Sequence, residues 1–533
     1  MRRAPFAFLV AVLWMLPGAA LPQTRAPLDL AFEAYWSASS QREADKAAER
    51  ILAARPDFAA VFDRLADGRP HRPDVETGEL RWATLPGGGS EHTTTVVVPK
   101  SYLPAVKYPV RVFLHGGVAR PEAAEGEEGA PARAGRPRRR LEFKERYIAV
   151  YPSGYADAQW WFSNQMTNFA EILDRLKRTY NIDENRVHLM GVSDGGTGTY
   201  FAGLKDPTPW SALFPLNGFL RVLANPATRA EGELFTTNLT NRPLYVVNGE
   251  NDPLYPAIAA FPFMVMLKRA GADITFRPMP GAGHDTSWWP TESNLIDAFE
   301  DEHPRNPYPT LAAWETERTD RFNRFAWLVI DRLDPAKTEG IFAENNTIEI
   351  QEPADFGLRV DSRRDGRKVI DVIDGTTAAS MGMKKGDTIV RMDDAMIRTA
   401  GDLGRAFDEH EAGTPLVFEV DRKGQRVTMQ GVFPPPPKPV RREDAFHHTK
   451  PAGRVVVVHK GNRFEARARG VGAFTLLLSP GMIDFDQPVT VVVNGKTAFE
   501  GPVERSVPTL LRWAARDNDR TMLFGAELPI TVP

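Results

Sequence analysis

A serine stands at the centre of the sequence G-V-S-D-G-G, residues 191–196, and its surroundings are typical of a catalytic nucleophile. A strand-like run at 186–190 precedes this sequence, and a helix-compatible run at 197–202 follows it. Such a strand-turn-helix exposes the serine at a helix N-terminus, where the helix dipole favours negative charge. Glycine on either side of the serine avoids collisions with neighbouring backbone. The spacing therefore predicts that Ser193 is a nucleophile.

A histidine and an acid complete a predicted catalytic triad with this serine. His284 and Asp252 each follow a predicted strand, so all three side chains are expected at the same carboxyl edge of a sheet. His284 takes the serine proton and later protonates the leaving group, while Asp252 fixes the imidazole tautomer. Glu250 and Asp285 are alternative acids. Asp252 is preferred because its loop is long enough to reach the histidine.

An H-G-G sequence at 115–117, directly after an apolar strand, predicts an oxyanion loop. Glycine lets backbone N–H groups approach a substrate closely, and such groups stabilise the negative oxygen of a tetrahedral intermediate. The predicted donors are the N–H groups of Gly117 and Asp194. Gly116 and Val118 are alternatives to Gly117 on the loop.

Three tryptophans follow strands near this predicted edge and are candidates for binding substrate. Trp160 and Trp161 come after the strand at 147–151, and Trp288 lies on the same loop as His284. Aromatic side chains beyond strand ends in an α/β fold line a binding cleft in many proteins. Packing in the core is the alternative for all three.

Composition excludes several other chemistries. The 533 residues contain no cysteine, which excludes disulfides, thiol catalysis and a cysteine-based zinc site. The formal net charge of -3 gives no argument for nucleic acid as a partner. No cofactor and no metal are predicted. The length predicts several domains.

The first residues have the pattern of a secretory signal. Arg2 and Arg3 precede an apolar run at 6–16, and small residues follow at 18–20. We predict a signal peptide over 1–20 and a secreted or periplasmic protein with no integral membrane segment in the mature chain. A short membrane anchor is the alternative, although the apolar run is short for a spanning helix.

Strands alternate with helices from residue 80 onward, which predicts an α/β domain with a doubly wound, mainly parallel sheet over 80–335. A predicted helix over 314–333 closes this domain. A helical extension at 28–75 precedes it, as a cap, a pro-segment or a packing element. A polar insertion at 119–140 ends in an arginine cluster, which is either a solvated loop or a site for an anionic substrate.

Residues 90–333 resemble the α/β-hydrolase superfamily, and within it the exported polyhydroxybutyrate-depolymerase-like and feruloyl-esterase-like enzymes. The motifs that carry this resemblance are His115-Gly116-Gly117, Tyr151-Pro152-Ser153-Gly154, Gly191-Val192-Ser193-Asp194-Gly195-Gly196, Asn251-Asp252-Pro253 and Gly283-His284. The resemblance implies hydrolysis of carboxylic esters, including polymeric and plant-cell-wall esters, through an acyl-enzyme without a cofactor. Many members carry a cysteine near the oxyanion loop, where this chain has glycine.

A second resemblance covers residues 347–432, which are similar to a PDZ domain of the bacterial protease type. The run Met383-Lys384-Lys385-Gly386-Asp387 is its most specific part. The resemblance implies that Phe356, Gly357 and Leu358 form the loop that holds the C-terminal carboxylate of a peptide, which joins the sheet edge as an extra strand. A structural spacer without a ligand is the alternative.

A proline-rich linker at 433–439 leads to a predicted β-rich module at 441–533, whose role is either binding or packing. The whole chain is therefore predicted to be a serine hydrolase of carboxylic esters with a PDZ domain for a peptide or protein partner. Prolyl-oligopeptidase-like peptidases share the triad order, so a peptidase is one alternative. A PDZ scaffolding protein with a vestigial hydrolase core is another, and the complete triad argues against it.

Overall fold

The computed structural model describes residues 27–86, 91–118, 144–350, 356–361, 366–408, 410, 413–433 and 440–533. Three sequence predictions lie outside these ranges. They are the signal peptide over 1–20, the polar insertion at 119–140 with its arginine cluster, and the prolines at 434–437 and 439.

Three helices form the N-terminal extension: α1 (Pro27–Ser37), α2 (Gln41–Ala53) and α3 (Phe58–Asp67). The side chains of Ser40 and Asp57 accept backbone N–H groups at the starts of α2 and α3 and so satisfy otherwise unpaired donors. The apolar faces of these helices share one core with a helix at Val507–Asp517, near the end of the chain. The extension is therefore packed against the C-terminal module.

The central sheet has eight strands in the order β1-β2-β4-β3-β5-β6-β7-β8. These strands are β1 (Gly78–Thr84), β2 (His92–Val98), β3 (Tyr108–Leu114), β4 (Ile148–Pro152), β5 (Ile182–Val192), β6 (Ala212–Leu216), β7 (Leu244–Gly249) and β8 (Ile274–Met279). The pairs from β4 through β3 to β8 are parallel, and β1, β2 and β4 pair antiparallel.

Helices follow the strands β4, β5, β6, β7 and β8 of this sheet. They are α4 (Ser163–Thr179), α5 (Asp194–Lys205), α6 (Leu220–Ala224), α7 (Ala257–Arg269) and α8 (Trp289–Glu302). Buried apolar side chains form two clusters about the sheet. The predicted α/β class is confirmed, and this part of the chain has the α/β-hydrolase fold.

The predicted helix over 314–333 is wrong. The chain instead forms β9 (Leu311–Thr316), β10 (Arg324–Phe325) and β11 (Leu328–Leu333). Phe322 and Ala326 have φ values of 52° and 46°, in the left-handed region that a continuous right-handed helix excludes. These strands pair with strands near the C-terminus, and such distant partners leave no trace in local periodicity.

The PDZ-like region has its own core of buried side chains. One strand of a two-stranded antiparallel ribbon precedes this region in the chain, and the other strand follows it. The ribbon strand before it is β12 (Thr347–Ile350). The elements of the region are β13 (Leu358–Val360), β14 (Val369–Val372), α9 (Thr377–Ser380), β15 (Thr388–Met392), β16 (Ala395–Met396), α10 (Ala400–Asp408), β17 (Thr414–Arg422) and β18 (Gln425–Phe433). The ribbon strand after it is β19 (Arg441–Asp444), which pairs antiparallel with β12.

The C-terminal module contains two sheets around one apolar core. Its remaining elements are β20 (Gly453–Lys460), β21 (Arg463–Arg469), β22 (Val471–Leu478), β23 (Val489–Val493), β24 (Lys496–Gly501), α11 (Val507–Asp517) and β25 (Ala526–Thr531). One sheet has the order β10-β11-β22-β25, and the other has the order β24-β23-β21-β20-β9. The module therefore takes strands from both sides of the PDZ-like region.

The edge strand β9 is covered by asparagine side chains from the α/β domain. Asn238 donates to the carbonyl of Glu315 at 3.0 Å and accepts its N–H at 2.9 Å. Asn241 makes the same pair of bonds with Ala313, at 2.6 and 3.1 Å. These amides satisfy backbone groups that an edge strand otherwise exposes. The C-terminal module is thereby attached to the α/β domain along a defined register.

Candidate active site

Ser193 lies on a strained turn between the end of β5 and the start of α5, with φ 60° and ψ −121°. Its N–H donates to the carbonyl of Leu216 at 2.9 Å. A Cβ on Gly191 would lie 2.2 Å from the Gly195 carbonyl oxygen, and a Cβ on Gly195 would lie 2.1 Å from the Leu114 carbonyl oxygen. The steric reason predicted for both glycines is therefore confirmed, because only glycine fits this packing.

The structure brings Ser193, His284 and Asp252 together. Nε2 of His284 lies 2.8 Å from Oγ of Ser193, and Nδ1 of the same ring lies 2.7 Å from Oδ2 of Asp252. The Asp252 side chain is completely buried, whereas that of His284 is 20% exposed. Both distances are those of hydrogen bonds. The first allows a proton to pass directly from the Ser193 hydroxyl to the imidazole, and the second holds the imidazole in place.

Asp252, rather than either of the two alternative acids, is the carboxylate hydrogen-bonded to the His284 ring. Its other oxygen, Oδ1, accepts the N–H groups of Leu254 and Tyr255 at 2.8 and 2.9 Å, which fixes the orientation of the carboxylate. Glu250 and Asp285 are exposed. The side chain of Asp285 accepts the N–H of Ser287, and hydrogen bonds from Ser287 lower the pKa of Asp285.

Two asparagines missed by the sequence analysis position the loops of the triad. Asn217, at the end of β6 with φ 46°, donates to the carbonyl of Asp285, next to the histidine, at 2.6 Å. Asn248, near the end of β7, donates to the carbonyl of Tyr255 at 3.0 Å. Both are buried. A polar residue at the end of an apolar strand or directly after it, at the edge that holds the triad, was the signal available in the sequence.

The acid and histidine loops also contact each other directly. The N–H of Asn251 donates to the carbonyl of Ala282 at 2.9 Å. A Cβ on Gly249 would lie 2.4 Å from that same carbonyl oxygen, so β7 must end in glycine for the loops to approach. The ring of Tyr255 meets the His284 imidazole edge to face at 5.5 Å between centroids. The imidazole is therefore held by packing as well as by hydrogen bonds.

The predicted oxyanion loop lies against Ser193. A Cβ on Gly116 would lie 2.9 Å from Cβ of Ser193. Gly117 has φ 76°, is exposed, and has open space where a side chain would be. The N–H of Val118 already donates to Oδ2 of Asp194 at 2.8 Å. Of the two alternatives to Gly117, Val118 is thus occupied by a protein acceptor.

The structure places the three candidate tryptophans in the core. Trp160 and Trp161 are 0% exposed, and Trp288 is 6% exposed. Nε1 of Trp160 donates to the carbonyl of His115 at 2.8 Å, and Nε1 of Trp161 donates to the carbonyl of Thr228 at 2.9 Å. Trp160 therefore supports the start of the oxyanion loop from beneath. Burial of these large apolar rings leaves no ring face to line an open cleft.

The predicted carboxylate loop of the PDZ-like region is tightly packed. Phe356 is buried, with its ring 5.2 Å from that of Phe407 on α10 and 5.6 Å from that of Phe418. Gly357 has φ 85°, and a Cβ there would lie 1.9 Å from Oγ1 of Thr376, so only glycine fits. Leu358 is half-buried at the start of β13. The three residues stay predictions as a peptide site.

Residues 354–430 match the family model of the PDZ domain. This part of the chain is a PDZ domain. The PDZ match lies within the predicted span of 347–432, and β12 precedes it. Within the described residues, no group of three or more His, Cys, Asp or Glu side chains is placed to hold a metal ion. No described helix has the length and apolar character needed to cross a membrane.

A curated relative is similar to part of the chain. It is a bifunctional acetylxylan esterase/xylanase from Neocallimastix patriciarum, 31% identical over 115 residues. The match covers 21% of this chain and 16% of the relative. This chain therefore spans far less than two thirds of that protein.

Solved structures with similar regions include esterases and a peptidase. A thermostable esterase is 25% identical, with a TM-score of 0.33, over 43% of this chain and 63% of the other. Est1E from Butyrivibrio proteoclasticus is 15% identical, with a TM-score of 0.31, over 42% and 98% of the two chains. An acylaminoacyl peptidase from Pyrococcus horikoshii is 16% identical, with a TM-score of 0.32, over 43% and 42%.

Proposed function

We propose that this hydrolase cleaves carboxylic esters through an acyl-enzyme formed on Ser193. The observation that carries the proposal is the hydrogen-bonded series from Ser193 Oγ through the His284 imidazole to the Asp252 carboxylate, at 2.8 and 2.7 Å. A serine hydroxyl is a weak nucleophile until a base takes its proton, and this series supplies that base.

In the first half of the proposed reaction, Oγ of Ser193 attacks the ester carbonyl carbon while Nε2 of His284 takes the serine proton. The carbonyl oxygen becomes negative, and the N–H groups of Asp194 and Gly117 donate to it. The carbon–oxygen bond to the alcohol then breaks, and His284 gives its proton to the leaving oxygen. The acyl group stays on Ser193.

In the second half, a water molecule replaces the alcohol. His284 takes a proton from the water, whose oxygen attacks the acyl carbon, and the proton then passes to Oγ of Ser193 as the acid leaves. Asp252 keeps the proton-bearing Nδ1 of the imidazole directed toward itself and stabilises the positive charge that the ring gains. The chain's own residues perform every one of these steps.

The ester, rather than the amide, is the proposed bond because the name of the curated relative matched over 115 residues, a bifunctional acetylxylan esterase/xylanase, includes an esterase activity and no peptidase activity. The test pairs a p-nitrophenyl acetate assay with a peptide p-nitroanilide assay, alongside fluorophosphonate labelling and mass-spectrometric mapping. We expect ester turnover and a label on Ser193 alone. Faster anilide turnover would identify a peptidase. Peptide binding without either turnover would identify a scaffolding protein.

We propose further that residues 1–20 are a signal peptide that is removed on export, and that the mature protein is secreted or periplasmic. The supporting pattern is a pair of arginines, an apolar run at 6–16 and small residues at 18–20. N-terminal sequencing of the protein from its native host is expected to begin at Leu21. A retained Met1 in the membrane fraction would support the short anchor instead.

A further inference from the structure

The carboxylate of Asp194 contacts the loop that carries Gly117, and the mechanism above gives this carboxylate no role. Its Oδ2 accepts the backbone N–H of Val118 at 2.8 Å. Both residues are buried. The bond therefore joins the residue directly after the nucleophile to the far end of the oxyanion loop.

The near end of the same loop is held from the other side. Nε1 of Trp160 donates to the carbonyl of His115 at 2.8 Å, and the N–H of Gly154 donates to the His115 ring at 3.0 Å. Gly116 and Gly117 thus span two anchored points. Because a Cβ on Gly116 would lie 2.9 Å from Cβ of Ser193, any shift of this span changes its spacing from the nucleophile.

We propose that Asp194 is a positioning residue, whose carboxylate holds the oxyanion loop at the spacing from Ser193 that the tetrahedral intermediate requires. The same bond engages the N–H of Val118 and leaves Gly117, with Gly116 as its alternative, as the loop's donor to the oxyanion. This inference rests on the serine mechanism proposed above. Misplacement of a catalytic group by about 1 Å costs on the order of a hundredfold in rate, so one hydrogen bond is enough to matter.

The acceptor oxygen, and not the negative charge, is what this role needs. A charge beside a developing oxyanion opposes it electrostatically, whereas the hydrogen bond to Val118 fixes the loop. An asparagine at position 194 keeps an acceptor oxygen and loses the charge. An alanine loses both. The two substitutions therefore separate positioning from charge.

The test compares D194A and D194N with E250A. The E250A variant removes an exposed carboxylate from the loop that carries Asp252. For p-nitrophenyl acetate, we expect kcat of D194A to fall about 10- to 100-fold with KM within about threefold. D194N is expected to stay within about threefold of the unsubstituted protein, and E250A to be unchanged. This pattern of kcat loss with rescue by the conservative variant distinguishes positioning from a general structural role.

A second readout uses phenylboronic acid, which forms a tetrahedral adduct on a catalytic serine. We expect D194A to lose affinity for it by about the same factor as kcat, because both depend on the oxyanion donors. If D194A does not fold, replacing Val118 by its α-hydroxy acid analogue removes the N–H alone and leaves the carboxylate. That amide-to-ester variant is then expected to show the same kcat loss.

Two results would overturn the inference alone: a folded D194A with kcat within about twofold of the unsubstituted protein, or D194N as slow as D194A. An unsubstituted protein that fluorophosphonate does not label at Ser193 would overturn the serine mechanism and this inference with it. Labelling of the unsubstituted protein at Ser193 therefore separates the two failures.

Discussion

Arg305 donates a hydrogen bond of 2.6 Å to the carboxylate of Asp519, 214 residues further along the chain. The two side chains are 1% and 2% exposed. Arg305 also bonds to Asn185 in β5, while Asp519 follows α11 of the C-terminal module. This buried ion pair therefore connects the central sheet of the α/β domain with the C-terminal module.

The stability of this connection is expected to depend on pH. Burial by itself raises the pKa of Asp519, but the charges of Arg305 and Lys177, with hydrogen bonds from Thr521 and Arg305, hold its pKa well below the usual range. Because the pKa is lower in the folded than in the unfolded state, this carboxylate stabilises the fold above about pH 4. The contribution is lost as the pH falls from there toward the folded-state pKa.

We expect Asp519→Asn to lower the free energy of unfolding at pH 7 by about 3 to 5 kcal/mol, since it leaves the Arg305 charge buried without its partner. Urea unfolding at pH 7 measures the loss, and a second series at about pH 3, below the unfolded-state pKa, measures the weaker pH dependence of the variant. Asp486→Asn is the control, because Asp486 pairs with Arg505 at the surface, where it is 81% exposed, and is worth at most about 1 kcal/mol. Equal losses for the two variants would contradict the assignment.

The nucleophile assignment predicts that Ser193→Ala lowers ester turnover by roughly three or more orders of magnitude while the protein stays folded. Only the hydroxyl is lost, and the turn at 191–195 keeps its glycines. Steady-state kinetics with p-nitrophenyl acetate and circular dichroism measure the two effects. Ser101→Ala, at an exposed serine, is the control. A fluorophosphonate label on another serine of the active protein would contradict the prediction.

The acid assignment predicts that Asp252→Asn lowers kcat by about three to four orders of magnitude, because an amide no longer fixes the imidazole tautomer. Glu250→Gln and Asp285→Asn are matched controls on the neighbouring loops, and each is expected to stay within about threefold of the unsubstituted rate. All three are measured with the same ester at pH 8. If Asp285→Asn proves the most damaging, the orienting carboxylate is a different one.

The PDZ domain is predicted to bind peptides with a free, apolar C-terminus at the loop of Phe356, Gly357 and Leu358. Amidation of that terminus is expected to weaken binding by about tenfold or more, because it removes the charge that strengthens the hydrogen bonds to backbone N–H groups. Fluorescence polarisation with the full chain carrying Ser193→Ala avoids hydrolysis of the peptide. Equal affinity for both peptides, or no binding to either, would favour a spacer.

The active-site edge could be predicted because its signals are local. The turn at Ser193 requires glycine two residues on either side, and that requirement is written within six consecutive residues. The strands that end at Leu114 and Gly249 are short, mostly buried apolar runs, which can be recognised from the sequence alone. Parallel strands then bring their following loops to one edge whatever the sequence between them.

Pairings between distant segments could not be predicted in the same way. The residues of β9 pair with β20, and those of β11 pair with β22, across the whole PDZ domain. Apolar residues at 314 and 325–330 suit either a helix or strands, and only their partners decide between the two. From the sequence, Trp160 is equally compatible with a binding cleft and with the core. Its hydrogen bond to the carbonyl of His115, which only the structure shows, accompanies a position in the core.

By itself, the sequence determined the α/β class, the strained turn at Ser193 and the order of serine, acid and histidine, because each depends on short segments and on backbone geometry. Tertiary structure alone decided that Asp252 meets the imidazole, that Val118 is engaged by Asp194, and that strands before the PDZ domain complete the module after it. These outcomes depend on distances of a few ångströms between residues far apart in the chain, which long-range packing sets and local residue patterns do not encode.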